Sequence, residues 1–276
     1  MKYALCITSP EIDKPFAFSM MGGPFDRKLS DMASFGYAGI ELLCGYPSDC
    51  DYRYVLDTCR KNGLEISDVS SGAARTVTGL TLLGSDREKM ADCRKVFSDM
   101  VELAARLGCH IVTIGAFRGW ARDVGSIGIA EEILADMFAE LDPRLSEYGV
   151  KVALEPVNRA QTDIFNTCGE VLSFIDRAGS PNIGVLYDTY NADAAEEDPF
   201  SALSAVVKPG RLLHFHIADT DRLVPGEGRI DFVSHLRILC DGCYGGFLSG
   251  ELKSGQDPTA TGKAIIDNMK EFERCI

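Results

Sequence analysis

The stretch "IAEEILADMFAELDPRLSEYGVKVALEPV", residues 129–157, contains the unit from which the fold follows. Apolar side chains recur every three to four positions across residues 129–149, which predicts an amphipathic helix that ends at Gly149. Residues 151–154 form a short apolar run, which predicts a buried strand. Glu155 comes directly after that strand, so the unit places an ionisable group at the carboxyl end of a strand.

The same alternation continues along the chain. Eight apolar runs have the length of strands, at residues 3–8, 38–44, 64–70, 110–117, 151–157, 183–188, 212–218 and 247–252. Helical periodicity marks residues 25–37, 51–63, 86–108, 129–149, 168–179, 198–207, 231–242 and 257–276. Alternating strands and helices favour a parallel sheet, and eight such units in about 250 residues fit a closed (β/α)8 TIM barrel better than an open sheet. We therefore expect residues 1–276 to form a single α/β barrel domain.

Composition argues against several classes of partner. The 276 residues carry a formal net charge of -13, from 41 acidic and 28 basic side chains. Such a surface repels phosphate backbones and anionic lipids, so we expect neither nucleic acid nor a membrane as a partner. The ten cysteines show no disulfide-like spacing, and residues 1–10 lack the apolar run of a secretory signal. We therefore predict reduced thiols and a cytoplasmic protein.

Ionisable side chains stand at the carboxyl ends of four consecutive predicted strands. They are Glu155, Asp188, His216 and Glu251. The carboxyl ends of the strands carry the active site of a TIM barrel, so we expect these side chains to meet at the barrel mouth. Strand residues two positions apart share a face, which places His214 one layer below His216. We expect His214 to support His216 from below or to fill the barrel interior.

These four side chains together predict a metal site. Three carboxylates in a partly dehydrated space repel one another, which would raise their pKa values or open the site unless a cation is present. Three carboxylates with one imidazole suit Mn2+, Mg2+ or Co2+, whereas zinc more often takes nitrogen and sulfur ligands. Any one of these residues alone could be a helix cap or an ion-pair partner, but four at matching strand positions favour one divalent cation.

Four motifs and one strand-end glutamate carry a family resemblance. They are "LEPVNR" at 154–159, "YDT" at 187–189, "HFHIADTDR" at 214–222, "PGEGRIDF" at 225–232, and Glu251. With them the chain resembles the sugar isomerase/epimerase superfamily with a xylose isomerase-like barrel. Within it the chain is most similar to the D-tagatose and D-psicose (allulose) 3-epimerases. The order of elements matches over nearly the whole chain, while the specific motifs lie from about residue 150 onward.

The resemblance implies a metal-dependent ketose 3-epimerase. By it, one Mn2+-type ion would be bound by Glu155, Asp188, His216 and Glu251. Glu155 and Glu251 would also exchange the proton at C3 of the sugar from opposite faces, through a cis-enediolate that the cation stabilises. Arg222 would hydrogen-bond the substrate oxygens near the carbonyl.

Two positions depart from the pattern of these epimerases. Gln161 stands where they commonly have a glutamate, and Asn191 stands where they commonly have a substrate-binding histidine. Both replacements remove an ionisable group but keep hydrogen bonding, so we expect both to contact the same end of the sugar. Together with Arg222 and His214 they are the candidate polar substrate contacts, and the identity of the sugar stays open.

The segments after the predicted strands add further candidates. Phe117 and Trp120 could form an apolar wall against a sugar face, or they could pack beneath a loop. Residues 70–86 are predicted to form a small-residue loop long enough to cover the site. Residues 225–229 are predicted to form a mobile loop at the rim of the barrel.

Other functions stay open at this point. Isomerases of aldoses or sugar acids, inosose-type dehydratases and 3-oxo-glycoside lyases also begin by removing a proton next to a carbonyl. A nuclease of the endonuclease IV type would need several histidine ligands for zinc and a basic groove, but this acidic chain places only two of its four histidines near the mouth. A non-catalytic sugar-binding barrel would need no metal. Members of the family that this chain resembles are often dimers or tetramers, so we expect a homo-oligomer. The resemblance also implies a small carbohydrate as the substrate.

Overall fold

Eight parallel strands close into a barrel in the order of the sequence. The structure is a computed structural model and describes residues 1–12 and 16–276. The strands are β1 (Lys2–Thr8), β2 (Gly39–Leu43), β3 (Glu65–Ser70), β4 (Ile111–Ile114), β5 (Lys151–Leu154), β6 (Ile183–Asp188), β7 (Leu212–Ile217) and β8 (Phe247–Gly250). Strand β1 pairs with both β2 and β8, which completes the ring. The predicted (β/α)8 TIM barrel is confirmed.

Ten α-helices lie within the described parts of the chain. They are α1 (Phe25–Phe35), α2 (Tyr52–Lys61), α3 (Gly72–Thr78), α4 (Arg87–Leu107), α5 (Ile127–Tyr148), α6 (Cys168–Ala178), α7 (Thr189–Ala195), α8 (Pro199–Val207), α9 (Phe232–Asp241) and α10 (Pro258–Glu273). Each predicted helical segment contains one of them. The other two, α3 and α7, have seven residues each. The prediction of a loop over residues 70–86 was wrong for α3, because a helix this short shows too few turns for its periodicity to register.

The boundary between α5 and β5 determines where Glu155 emerges. Gly149 has a φ of 63° and ends α5 in the left-handed region, where glycine has no side-chain penalty. The chain then enters β5, whose first residue, Lys151, pairs with Ile111 of β4. The four residues of β5 bring the backbone to the barrel mouth, and Glu155 is the first residue after the strand.

Alternation along the strands separates an apolar outer face from a polar interior. Tyr187 of β6 and Phe215 of β7 stack with ring centroids 5.4 Å apart, and Tyr187 also contacts His235 of α9. The intervening residues point into the barrel, where His214 is fully buried. The apolar core thus lies between the strands and the surrounding helices. In the described parts of the chain, no helix has the length and apolar character to cross a membrane.

A fully buried arginine joins the segments that follow β4 and β5. The guanidinium of Arg118 donates hydrogen bonds of 2.7–3.1 Å to four backbone carbonyls, those of Gly115, Glu155, Ile164 and Phe165. Burial, the largest influence, lowers the pKa of Arg118 to about 10, so the side chain stays charged at neutral pH. Because one of its acceptors is the carbonyl of Glu155, Arg118 holds the backbone from which that carboxylate projects.

We expect Arg118→Lys to lower the free energy of unfolding by about 3 kcal/mol, because one ammonium cannot reach four carbonyls and leaves buried acceptors unpaired. Chemical denaturation measures this change. Arg122→Lys makes the same substitution at an exposed arginine and should change the free energy by less than about 1 kcal/mol. Equal losses in the two variants would contradict the role given to Arg118.

Candidate functional site

The structure brings together the four side chains that end β5 to β8. Glu155, Asp188, His216 and Glu251 each offer a ligand atom, and these atoms all lie within 4.8 Å of one another. His216 Nδ1 lies 3.7 Å from Asp188 Oδ2 and 3.6 Å from Glu251 Oε2. Strand register explains the convergence, because His216 pairs with Asp188 on one side and with Ser249 on the other.

The cluster has the donor set and the unpaired atoms of a divalent-cation site. Asp188 Oδ2 and His216 Nδ1 are buried and have no hydrogen-bond partner among the described residues. Burial, followed by the charges of Glu251 and Asp188, raises the pKa of Glu155 to about 8. The carboxylates therefore cannot all ionise easily at neutral pH without a compensating positive charge. Three carboxylates and one imidazole fit Mn2+, Mg2+ or Co2+.

Arg222 lies against one of the four side chains. Its Nη1 donates to the backbone carbonyl of Glu251 at 2.8 Å and to Oε2 of the same residue at 2.6 Å. The guanidinium also lies 4.8 Å from the ring centres of Phe18 and Tyr190. Burial, the largest single influence, favours the neutral form of Glu251, but the charge of Arg222 together with the hydrogen bond and charge of His216 outweighs it and lowers the pKa of this carboxylate. The two glutamates of the cluster thus have opposite electrostatic surroundings.

Asn191 contacts Glu155 instead of the cavity. Its Nδ2 donates to Glu155 Oε1 at 2.8 Å, and its Oδ1 accepts from Asn158 Nδ2 at 2.9 Å and from Gln161 Nε2 at 3.5 Å. Asn191 is only 1% exposed. The amide of Asn191 thus orients Glu155, and the expected contact of Asn191 with the sugar stays a prediction. Gln161 does line the cavity. Because Gln161 also contacts Asn191, the two departures from the epimerase pattern lie next to each other.

A second buried group lies directly beneath His216. Glu41 Oε2 lies 3.0 Å from His216 Nε2 and 3.3 Å from His214 Nε2, and Asp68 Oδ1 lies 3.3 Å from the same nitrogen of His214. These side chains are at most 1% exposed. His214 therefore lies in the barrel interior beneath His216, as strand parity predicts, and its contact with substrate stays a prediction. Glu41 and Asp68 were not among the predicted site residues, although a charged residue inside a predicted buried strand was a usable signal.

A cavity of about 150 Å3 opens above the cluster. Its lining includes Phe18, Arg75, Thr113, Gln161, Arg222 and Glu251. Phe117 is fully buried and packs against Phe97, with ring centroids 6.4 Å apart, which agrees with the alternative of packing beneath a loop. Trp120 is not among the lining residues and lies under the guanidinium of Arg122, at 3.7 Å. The aromatic wall comes instead from Phe16 and Phe18, which precede α1.

The rim segment 225–229 is tied down by one carboxylate. Asp219 Oδ2 accepts from the backbone N–H groups of Gly226 at 2.8 Å and Gly228 at 3.0 Å. Its Oδ1 accepts from Ile230 N–H at 3.0 Å. These bonds lower the pKa of Asp219 although its partial burial acts in the opposite direction. The glycines of this segment let its backbone wrap around the carboxylate of Asp219, and the predicted mobility of the segment stays a prediction.

Comparisons with known proteins match this fold over most of the chain. A sequence model of the xylose isomerase-like TIM barrel family matches residues 29–273. An L-ribulose 3-epimerase of Methylomonas sp. strain DH-1 is 34% identical over 83% of this chain and 79% of its own length. A ketose 3-epimerase of Arthrobacter globiformis is 29% identical over 73% of this chain and 69% of its own length.

A solved structure shows the same fold at lower identity. D-allulose 3-epimerase from Methylomonas sp. superposes with a TM-score of 0.79 and 21% identity, and the match covers 98% of this chain and 96% of that one. The resemblance expected from the motifs of residues 154–251 is thus confirmed. The chain belongs to the xylose isomerase-like TIM barrel family, and it is an enzyme of the isomerase and epimerase class.

Proposed function

We propose that this enzyme is a metal-dependent ketose 3-epimerase, in which Glu155 and Glu251 exchange a proton at the carbon next to the carbonyl. The observation that carries the proposal is the pair of carboxylates at one cluster with an imidazole and a third carboxylate. The relatives named as ketose and L-ribulose 3-epimerases support the choice of substrate class. The broader activity, epimerisation or isomerisation of a sugar, rests on the same relatives.

In this proposal, the two carboxylates would act from different sides of a bound substrate. Glu155 follows β5 and Glu251 follows β8, with β6 and β7 between them on the ring. One carboxylate can therefore remove a proton from one face while the other returns a proton to the opposite face, which inverts the configuration. Glu155, Asp188, His216 and Glu251 would hold the cation. When bound, that cation would polarise the carbonyl and stabilise the negative charge that develops on its oxygen.

Neighbouring side chains orient these two carboxylates for proton transfer. Asn191 holds one oxygen of Glu155 and leaves the other facing the cavity side of the cluster. Arg222 holds Glu251 and lies at the cavity wall, where its guanidinium can also donate to substrate oxygens. Both carboxylates are thus oriented before substrate arrives, which lowers the cost of reaching a reactive geometry.

Related reactions are separated by substrate and by the carbon that loses its proton. Sugar-acid isomerases, inosose-type dehydratases and 3-oxo-glycoside lyases begin with the same step. Solvent-deuterium incorporation followed by NMR, over a panel of ketoses, inososes, sugar acids and 3-oxo glycosides, tests the proposal. Label at C3 of a free ketose, with formation of the C3 epimer, is expected. Label at another carbon, or loss of water from the substrate, would overturn the assignment to a ketose 3-epimerase.

Two further properties stay predictions. A homo-oligomeric assembly and a cytoplasmic location follow from the family resemblance and from the cysteine pattern. All ten cysteines are free thiols, and seven of them are buried.

We expect Glu155→Gln and Glu251→Gln each to lower turnover by about 10²-fold or more, because an amide cannot accept or return the proton. Steady-state rates on the substrate found in the deuterium panel measure the effect. Glu147→Gln makes the same change at an exposed position of α5 and should retain the wild-type rate. Near-full turnover in either cluster variant would exclude the two-carboxylate mechanism.

We expect Mn2+ binding at pH 7 to release about one to two protons, because ligation needs ionised Glu155 and neutral His216. The pKa of Glu155 is about 8. Burial disfavours the charged form of His216, but the charge of Glu41 and the two facing carboxylates outweigh it and raise its pKa well above the usual value. Both groups are therefore protonated at pH 7, and affinity should rise with pH up to about 8.

Calorimetric titration of chelator-treated protein with Mn2+, in buffers of different ionisation enthalpy, counts the released protons. The wild-type protein should also gain thermal stability on adding Mn2+. Binding with no proton release, or with the same affinity at pH 6 and pH 8, would contradict the electrostatic description of the cluster. No binding at all would remove the metal from the proposed function.

A further inference from the structure

We infer that Glu41 is a positioning residue that sets which nitrogen of His216 binds the metal. This inference rests on the proposed function only through the presence of a cation at the cluster. Glu41 lies on β2, and His216 lies on β7. Their contact crosses the barrel interior, because β8 and β1 separate the two strands on the ring.

The two nitrogens of His216 have different surroundings. Nε2 lies 3.0 Å from Glu41 Oε2. Nδ1 has no hydrogen-bond partner in the described chain and faces Asp188 Oδ2 at 3.7 Å and Glu251 Oε2 at 3.6 Å. A neutral imidazole has one N–H and one lone pair, so a carboxylate acceptor at Nε2 keeps the hydrogen there. In that neutral form the lone pair of Nδ1 points at the centre of the cluster, where a cation would bind after displacing the second proton of the ring.

Glu41 is itself held in place from the layer below. His214 Nε2 lies 3.3 Å from Glu41 Oε2 and 3.3 Å from Asp68 Oδ1, and Ser67 Oγ donates to the same oxygen of Asp68 at 2.6 Å. The rings of His214 and His216 are nearly perpendicular, at 87°, with centroids 5.1 Å apart. Side chains of β3, β7 and β2 thus form one continuous set of contacts beneath His216.

The cost of this arrangement argues for a role beyond filling space. Glu41 is fully buried, and among the described residues no lysine or arginine forms an ion pair with it. Its ion-pair partners are the histidines His214 and His216, and even a paired buried carboxylate is expensive, because an apolar side chain would fill the same volume at lower cost. Hydrogen bonding to a metal-bound imidazole supplies a compensating partner, because the cation draws charge from the ring and strengthens the N–H donor.

The test compares Mn2+ affinity in wild-type protein, Glu41→Gln and Glu41→Leu, by titration with electron paramagnetic resonance of free Mn2+. We expect the dissociation constant to rise about 10- to 100-fold in Glu41→Leu, with Glu41→Gln between it and wild type. The isosteric Glu41→Gln decides the outcome if Glu41→Leu does not fold. Asp68→Asn, which removes a charge one layer further from the ligand, is the matched control and should have a smaller effect than Glu41→Gln.

A second readout reports the tautomer directly. Long-range 1H–15N correlation spectra of histidine-labelled protein loaded with diamagnetic Mg2+ should show His216 with its hydrogen on Nε2, and His216→Gln assigns that signal among the four histidines. In Glu41→Leu the other tautomer should become populated. A merely structural role for Glu41 would leave the tautomer unchanged.

The outcomes separate this inference from the proposed function. If wild-type protein binds no Mn2+, the proposed metal centre fails. If wild-type protein binds Mn2+ and both Glu41 variants bind it equally well, only the role of Glu41 fails. A stoichiometry of two Mn2+ per chain would also overturn it, because Glu41, His214 and His216 would then act as ligands of a second ion.

Discussion

Mutual repulsion among three carboxylates at the barrel mouth is the constraint on which the site depends. A closed ring of hydrogen-bonded strands cannot open to separate them, so the charges must be balanced where they stand. The chain balances one glutamate with Arg222 and leaves the other with a pKa near 8. In the proposed function, a divalent cation would complete the balance and supply the catalytic chemistry. The same electrostatic problem would then account for both the composition of the site and its reactivity.

The fold was predictable because strand and helix periodicities alternate without interruption. The four strand-end side chains were predictable for the same reason, since equal positions on neighbouring parallel strands lie at one level. Residues after the strands were harder. Phe117 and Phe18 are both phenylalanines near the mouth, yet only Phe18 lines the cavity, because Phe117 turns outward onto Phe97. Periodicity within a strand contains no information on how the following segment bends.

Contacts across the barrel could not be predicted from the sequence. Glu41 and His216 are separated by 175 positions in the chain and lie on strands that are not neighbours. Strand parity indicates that both point inward, but it does not say which inward residues touch. The contacts of Asn191 were unpredictable for a related reason. Its side chain bonds Glu155 and Asn158, which belong to the segment after β5 and not to its own helix.

Arg118 connects catalysis to folding in a way that matters for the evolvability of this enzyme. The side chain of Arg118 joins the segments that follow β4 and β5, and it also holds the backbone of Glu155. Substrate preference can drift at positions such as Arg75 and Thr76, which line the cavity and whose side chains make no hydrogen bond to Arg118 among the described residues. Laboratory evolution toward a different sugar should therefore find its freedom on α3, while position 118 admits almost no variation.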